Sequence, residues 1–260
     1  MARTIMLIFL LGSMVGVKAQ GFWFEPEYSR ALKGDSLRIV IREGEDALGQ
    51  AVKTTKALRQ LGQYRQGKWR DLREDFKEGQ YYSLVQWVET GMNIYFLEWK
   101  KKENIDSSSF SSFVQFHGLE EFKPKGFQNH WVGKALELDW EGNSRLLVWG
   151  GGQAGEEWGR VKGFNLELIP LQNPVLSGKG SLVTFRLMFK GHPLFGAKVL
   201  VWNKLKGKIF LQPIYSQKDG TVDIRLGNQG LWIVEVMHAL PAGEGSVLRV
   251  FQSNVVYFVP

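Results

Sequence analysis

The chain contains no cysteine. That excludes disulfide scaffolds, thiolate nucleophiles and cysteine-ligated metals. Histidine is nearly as scarce, four in 260 residues, and no His-x-His or His-Glu-x-x-His spacing gathers ligands locally. No Gly-x-Ser-x-Gly elbow marks a serine hydrolase. Beyond Val17, no apolar run approaches the ~20 residues of a membrane helix. A concentrated basic stripe with a nucleic-acid reading motif is also missing. The excess of 33 Lys and Arg over 26 Asp and Glu therefore reads as an ordinary solvated surface.

What is present begins with a leader. Arg3 precedes an apolar stretch from Ile5 to Val17, and Val17–Lys18–Ala19 offers small or apolar residues where a signal peptidase reads. Residues 1–19 are expected to be an export signal, leaving Gln20–Pro260 as a periplasmic or secreted chain. No cysteine follows the apolar stretch, so lipid anchoring of the bacterial lipoprotein kind is excluded.

The rest alternates with period two. Leu37, Ile39 and Ile41 interleave with Arg38, Val40 and Arg42; Val222, Ile224 and Leu226 with Asp223 and Arg225; Trp232, Val234 and Val236 with Ile233, Glu235 and Met237. Such β-branched and aromatic segments, broken by glycine-containing turns, predict strands of a sandwich. One stretch is helical instead. Phe110, Phe113, Val114 and His117 share one helical face, with Asp106 or Ser107 as cap and Gly118 as stop. Gly150–Gly163 is too rich in glycine for a core element, and Glu156–Glu157 argues against a phosphate cradle. The expected fold is mostly β: an N-terminal β-sandwich domain over residues 20–163, carrying the one short helix, and a C-terminal prealbumin-like β-sandwich domain over residues 164–260. An immunoglobulin-like sandwich fits the same pattern.

Three stretches resemble a family of exported bacterial proteins of unknown function, often described as periplasmic components associated with nickel and cobalt uptake. They are Ala19–Gln20–Gly21–Phe22–Trp23–Phe24–Glu25–Pro26, the Phe110 to Gly118–Leu119 segment, and the second-half run from Leu166 through Lys190–Gly191–His192–Pro193 and Lys218–Asp219–Gly220 to His238. The resemblance implies a non-catalytic accessory or binding protein, a membrane metal-uptake transporter as partner, and nickel or cobalt as the bound ion. It also puts a histidine where this chain has Gln20, whose side-chain amide is a poor nickel ligand and whose amine is lost on cyclisation. Metal binding is therefore expected to be weakened.

The candidate metal ligands are His238, at the family position after an alternating strand, and Glu25, near the mature start. Nickel and cobalt favour imidazole with carboxylates completing the shell. His117 is read as a cation at the helix C-terminus, and His130 and His192 as loop or turn residues. Adjacent acids such as Glu120 and Glu121 are read as solvated, so no catalytic residue is assigned. The 10 Trp, 7 Tyr and 17 Phe are mostly core residues. A few left exposed would support the alternative function, a carbohydrate- or protein-binding surface module without metal.

Overall fold

Period-two alternation becomes sixteen strands among the described residues. The computed structural model describes residues 21–27, 33–44, 47–52, 56–75, 83–122, 135–242 and 248–260; residues 1–19, where an export signal is expected, Gln20 and His130 lie outside them. The first eight strands are β1 (Gly21–Pro26), β2 (Ser36–Gly44), β3 (Gln50–Ala51), β4 (Leu58–Arg65), β5 (Lys68–Asp71), β6 (Ser83–Trp87), β7 (Met92–Asp106) and β8 (Ala135–Trp149), with helix α1 (Ser107–His117) between the last two. The second eight are β9 (Leu166–Pro170), β10 (Leu182–Phe189), β11 (His192–Pro193), β12 (Lys198–Leu205), β13 (Lys208–Tyr215), β14 (Thr221–Arg225), β15 (Gly230–Pro241) and β16 (Leu248–Val259). The mostly β architecture with one short helix expected from the sequence is the one that forms.

The two sets pair in the same order. β2 pairs with β1, β3 and β6; β10 pairs with β9, β11 and β14. The remaining strands form one sheet in the order β13-β12-β15-β16-β8-β7-β4-β5, which is the same pattern read from either end. All its pairings are antiparallel except the central one, where β8 and β16 run parallel from Leu138↔Leu248 to Leu147↔Tyr257. The molecule is therefore an internal structural repeat, with its two halves related about the β8–β16 seam. Gly163 lies between the repeats along the chain, while the large sheet draws four strands from each side of it.

Alternation along these strands builds two cores. On β7, Tyr95, Leu97 and Trp99 face one core, and Ile94 and Phe96 the other; on β12, Leu200 and Trp202 part from Val199 and Val201 in the same way. The sheet of β1, β2, β3 and β6 covers the first face, and that of β9, β10, β11 and β14 the second. Burial on both faces explains why β15 and β16 are apolar at successive positions rather than at alternate ones.

Polar residues occupy the middle of the seam because the small sheets leave backbone groups to be satisfied there. On the first face Asn254 Nδ2 donates to Phe22 O (2.9 Å), Ser144 Oγ donates to Asn254 Oδ1 (2.5 Å), and Phe24 N donates to Ser144 Oγ (3.3 Å). On the second face Asn143 Nδ2 donates to Leu166 O (2.7 Å), Ser253 Oγ donates to Asn143 Oδ1 (2.8 Å), and Leu168 N donates to Ser253 Oγ (3.0 Å). Each Asn–Ser pair thus clamps the first strand of one half, with identical wiring. Beside this seam Gly142 permits close packing, since a Cβ there would collide with the Trp99 indole.

Two connections cover what the small sheets leave open. Helix α1 is capped by the Asp106 carboxylate, which accepts from Ser108 N and Ser109 N, and ends at Gly118 in the left-handed conformation. Its buried face lays Phe113 on Trp140, while Phe116 reaches Trp202 in the second half. The strap from Gly150 to Asn165 lies over the first half instead, with Phe164 against Phe96, the Arg160 guanidinium 4.1 Å over the Tyr64 ring, and Lys162 Nζ 4.1 Å over Trp69.

Candidate functional site

The two expected metal ligands do not converge. Glu25 on β1 is ion-paired with Arg42 and with Lys204, whose Nζ lies 2.6 Å from Oε1. Lys204 shares the sheet face of Leu200 and Trp202, whereas His238 shares the face of Val234 and Val236. Lys204 is opposite Leu231, so His238 stands seven residues further along β15, about 23 Å at the rise of a strand. Its ring is held edge-on to Phe189 and Phe122, with centroids 4.4 and 5.1 Å away. Burial, then the charge of Lys190, lowers the His238 pKa to about 4. Among the described residues no three His, Asp or Glu side chains form a group that could hold a metal ion.

The other described histidines divide sharply. His192 is exposed on β11. His117 is fully buried, with Nδ1 3.9 Å from Glu235 Oε1, and its ring lies against Phe113 and Phe116. Burial, then Lys198, lowers its pKa to about 3, so it is a neutral core residue where the sequence suggested a charged helix terminus. Glu235 shares the face of Ile233 and Met237, which is buried only because the sheet is covered on both sides, and no sequence motif pairs it with His117.

A buried ion pair missed by sequence reasoning organises the junction. Arg145 on β8 and Glu167 on β9 are almost wholly buried, with Arg145 Nη2 3.0 Å from Glu167 Oε1. Arg145 also donates to the carbonyls of Trp158 and Arg160, and Glu167 accepts from the amides of Lys162 and Gly163. Desolvation pulls the Arg145 pKa down to about 10, against the opposing pull of Glu167; it remains charged at neutral pH. At the far side Glu157 accepts from Gln66 N and Gly67 N at the β4–β5 turn. The glycine-rich strap is thus pinned at both ends.

Beside the strap lies an open groove of about 1070 Å³. Trp158, Phe164 and Met188 give it apolar walls, and Arg160, Arg186 and Lys190 give it cations. Chemically it can hold a small or extended ligand. Three carboxylates also line it: Glu167 is engaged by the buried Arg145 and two amides, Glu157 accepts from the amides of Gln66 and Gly67, and Glu156 stands beside them.

No curated protein matches the chain. Among solved structures, it is similar to the fibronectin(III)-like modules of Clostridium thermocellum CbhA, at 10% identity, covering 91% of this chain and 93% of that one, with a TM-score of 0.20. It is also similar to the FN1-FN3 domains of chicken CNTN1, at 10% identity, covering 91% and 66%, with a TM-score of 0.19. A family model described as a domain of unknown function matches residues 17–240. That match takes in the helix, the first strand of each Asn–Ser clamp and β15 through Leu240, and the chain accordingly belongs to the DUF4198 family.

Proposed function

We propose that the protein is a non-catalytic accessory or binding protein of the bacterial periplasm or cell exterior, linked to nickel and cobalt uptake through a membrane transporter partner. In this reading it works through its surfaces and has no tight metal centre of its own. The observation that supports it is the separation of Glu25, tied to Arg42 and Lys204, from His238, enclosed by two phenyl rings on the other sheet face. A nickel or cobalt ion needs several imidazoles or carboxylates at one point. Calorimetry with nickel(II) on the chain beginning at Gln20 tests the reading. Weak or undetectable binding is expected, and tight binding abolished by His238→Ala would overturn it.

A second reading, a carbohydrate- or protein-binding surface module without metal, draws support from the exposed Phe195, Phe210 and Tyr215 beside β13.

A further inference from the structure

The large sheet ends in two very different strands. β5 has only four residues, Lys-Trp-Arg-Asp, and the segment is held by ion pairs from Arg73 to Asp71 and from Arg70 to Asp75. A short, charged edge of this kind resists pairing with another chain. β13, at the equivalent place in the second half, has eight residues and stays open to solvent. Phe210 is 47% exposed, Leu211 40% and Tyr215 60%, and Phe195 nearby is 63% exposed. Among the described residues no strand pairs with its outer side.

The backbone of that edge is readable. Ser216 N donates inward to Ala197 O. In an antiparallel ladder the direction alternates, so the amides of Tyr215, Leu211 and Ile209 point outward. Pro213 occupies an outward position too, where its missing N–H leaves the β12–β13 ladder intact. Three amides and the neighbouring carbonyls therefore face a prospective partner.

Charge indicates what that partner carries. From Leu168 to Lys218 the chain has no Asp or Glu and eight Lys or Arg. Lys206 and Lys208 are exposed at one end of β13, and Lys218 just beyond the other. We propose that β13 is a docking strand for an extended segment of a partner protein, which adds to the sheet as a further strand, alternates apolar with polar residues and carries acidic residues at its ends. Strand addition supplies affinity through the main chain and specificity through alternate side chains. A lipid surface would leave the outward amides unsatisfied. A second copy of this chain would bring the same lysines and no carboxylate. The proposal rests on the reading of the protein as a non-catalytic binding protein and names the surface through which it acts.

The test uses the full chain from Gln20 and a fluorescent peptide, Glu-Glu-Val-Thr-Val-Thr-Val-Thr-Glu-Glu, with a control bearing Lys in place of each Glu. Saturable anisotropy is expected for the acidic peptide, at least tenfold weaker binding for the control, and slowed exchange of the Ile209, Leu211 and Tyr215 amides. Leu211→Pro removes one outward N–H without touching the inner ladder, and Lys206→Glu with Lys208→Glu reverses the charge; each should weaken binding at least tenfold. Absence of peptide binding, equal binding of both peptides, indifference to Leu211→Pro in a folded variant, dimerisation through β13, or binding to phosphatidylglycerol vesicles lost with the same variants would overturn the proposal. Tight nickel binding would overturn the functional reading alone and leave the peptide result standing.

Discussion

The two halves of the molecule share their centre and differ at their rims. Both clamp their first strand with an Asn–Ser pair drawn from β8 and β16. Both turn between the two outer strands of the large sheet with positive φ at two successive residues, Gln66–Gly67 and Lys206–Gly207, the geometry that suits the twist of a tight hairpin. Among the described residues the first half carries the helix and the strap, and each of these covers one face of the large sheet. The second half presents a long, apolar, cation-flanked edge. The shared parts answer the demand that buried backbone groups be paired. The unshared parts are where the halves are free to differ, and the docking strand we propose lies among them.

The largest effect expected from breaking this comparison is at Arg145, for which we find no counterpart in the second half. Arg145→Met leaves Glu167 buried without its cation and frees the carbonyls of Trp158 and Arg160. A loss of about 3–5 kcal/mol in urea unfolding is expected, together with new protease cleavage in the strap. The seam comes next and tests the likeness instead of the difference. Asn254→Ala and Asn143→Ala each orphan one strand carbonyl and one serine hydroxyl, so each should cost about 1–3 kcal/mol. Clearly unequal losses would show that the two clamps are not equivalent.

A pH-dependent effect follows from His117. In the unfolded chain an imidazole takes up a proton near pH 6.5, whereas in the fold His117 stays neutral down to about 3. The unfolded state therefore binds more protons inside that window, and stability falls as pH drops from about 6.5 towards 3. His238 adds a similar loss down to about 4. His117→Gln should flatten the pH dependence of the urea midpoint between pH 7 and 4 without abolishing it; an unchanged slope would contradict the buried neutral imidazole. Smallest and again matched are Gly67→Ala and Gly207→Ala, each expected to lower stability by up to about 1 kcal/mol because alanine is strained at positive φ.

Much of this fold was legible locally. The alternation at Leu37–Ile41 and Val222–Leu226 marks strands β2 and β14, and the helix appears with Phe110, Phe113, Val114 and His117 on its buried face, Asp106 as cap and Gly118 as stop. The repeat was not legible because it is a repeat of pairings more than of residues. Pro26 and Pro170 end equivalent strands, and Gln66–Gly67 and Lys206–Gly207 make equivalent turns, but the residues between them differ. The β8–β16 pairing joins positions 110 apart, such as Asn143 and Ser253, and no local period signals a contact at that range. Of the candidate site, the position of His238 on an alternating strand was legible, whereas the place of Glu25 on β1 and the separation of the two depend on which sheet face each strand presents. Net charge concealed the acid-free run ahead of Asp219, which becomes meaningful only once β13 is seen to be an edge.

The central claim is that the two repeats share one sheet and stand or fall together through the β8–β16 seam. Urea unfolding of the chain from Gln20, followed at once by tryptophan fluorescence and far-ultraviolet circular dichroism and repeated on the isolated pieces 20–163 and 164–260, tests it most directly. Coincident single transitions for the whole chain, with neither piece folding alone, are the predicted result. Two separate transitions, each reproduced by its own folded piece, would contradict it.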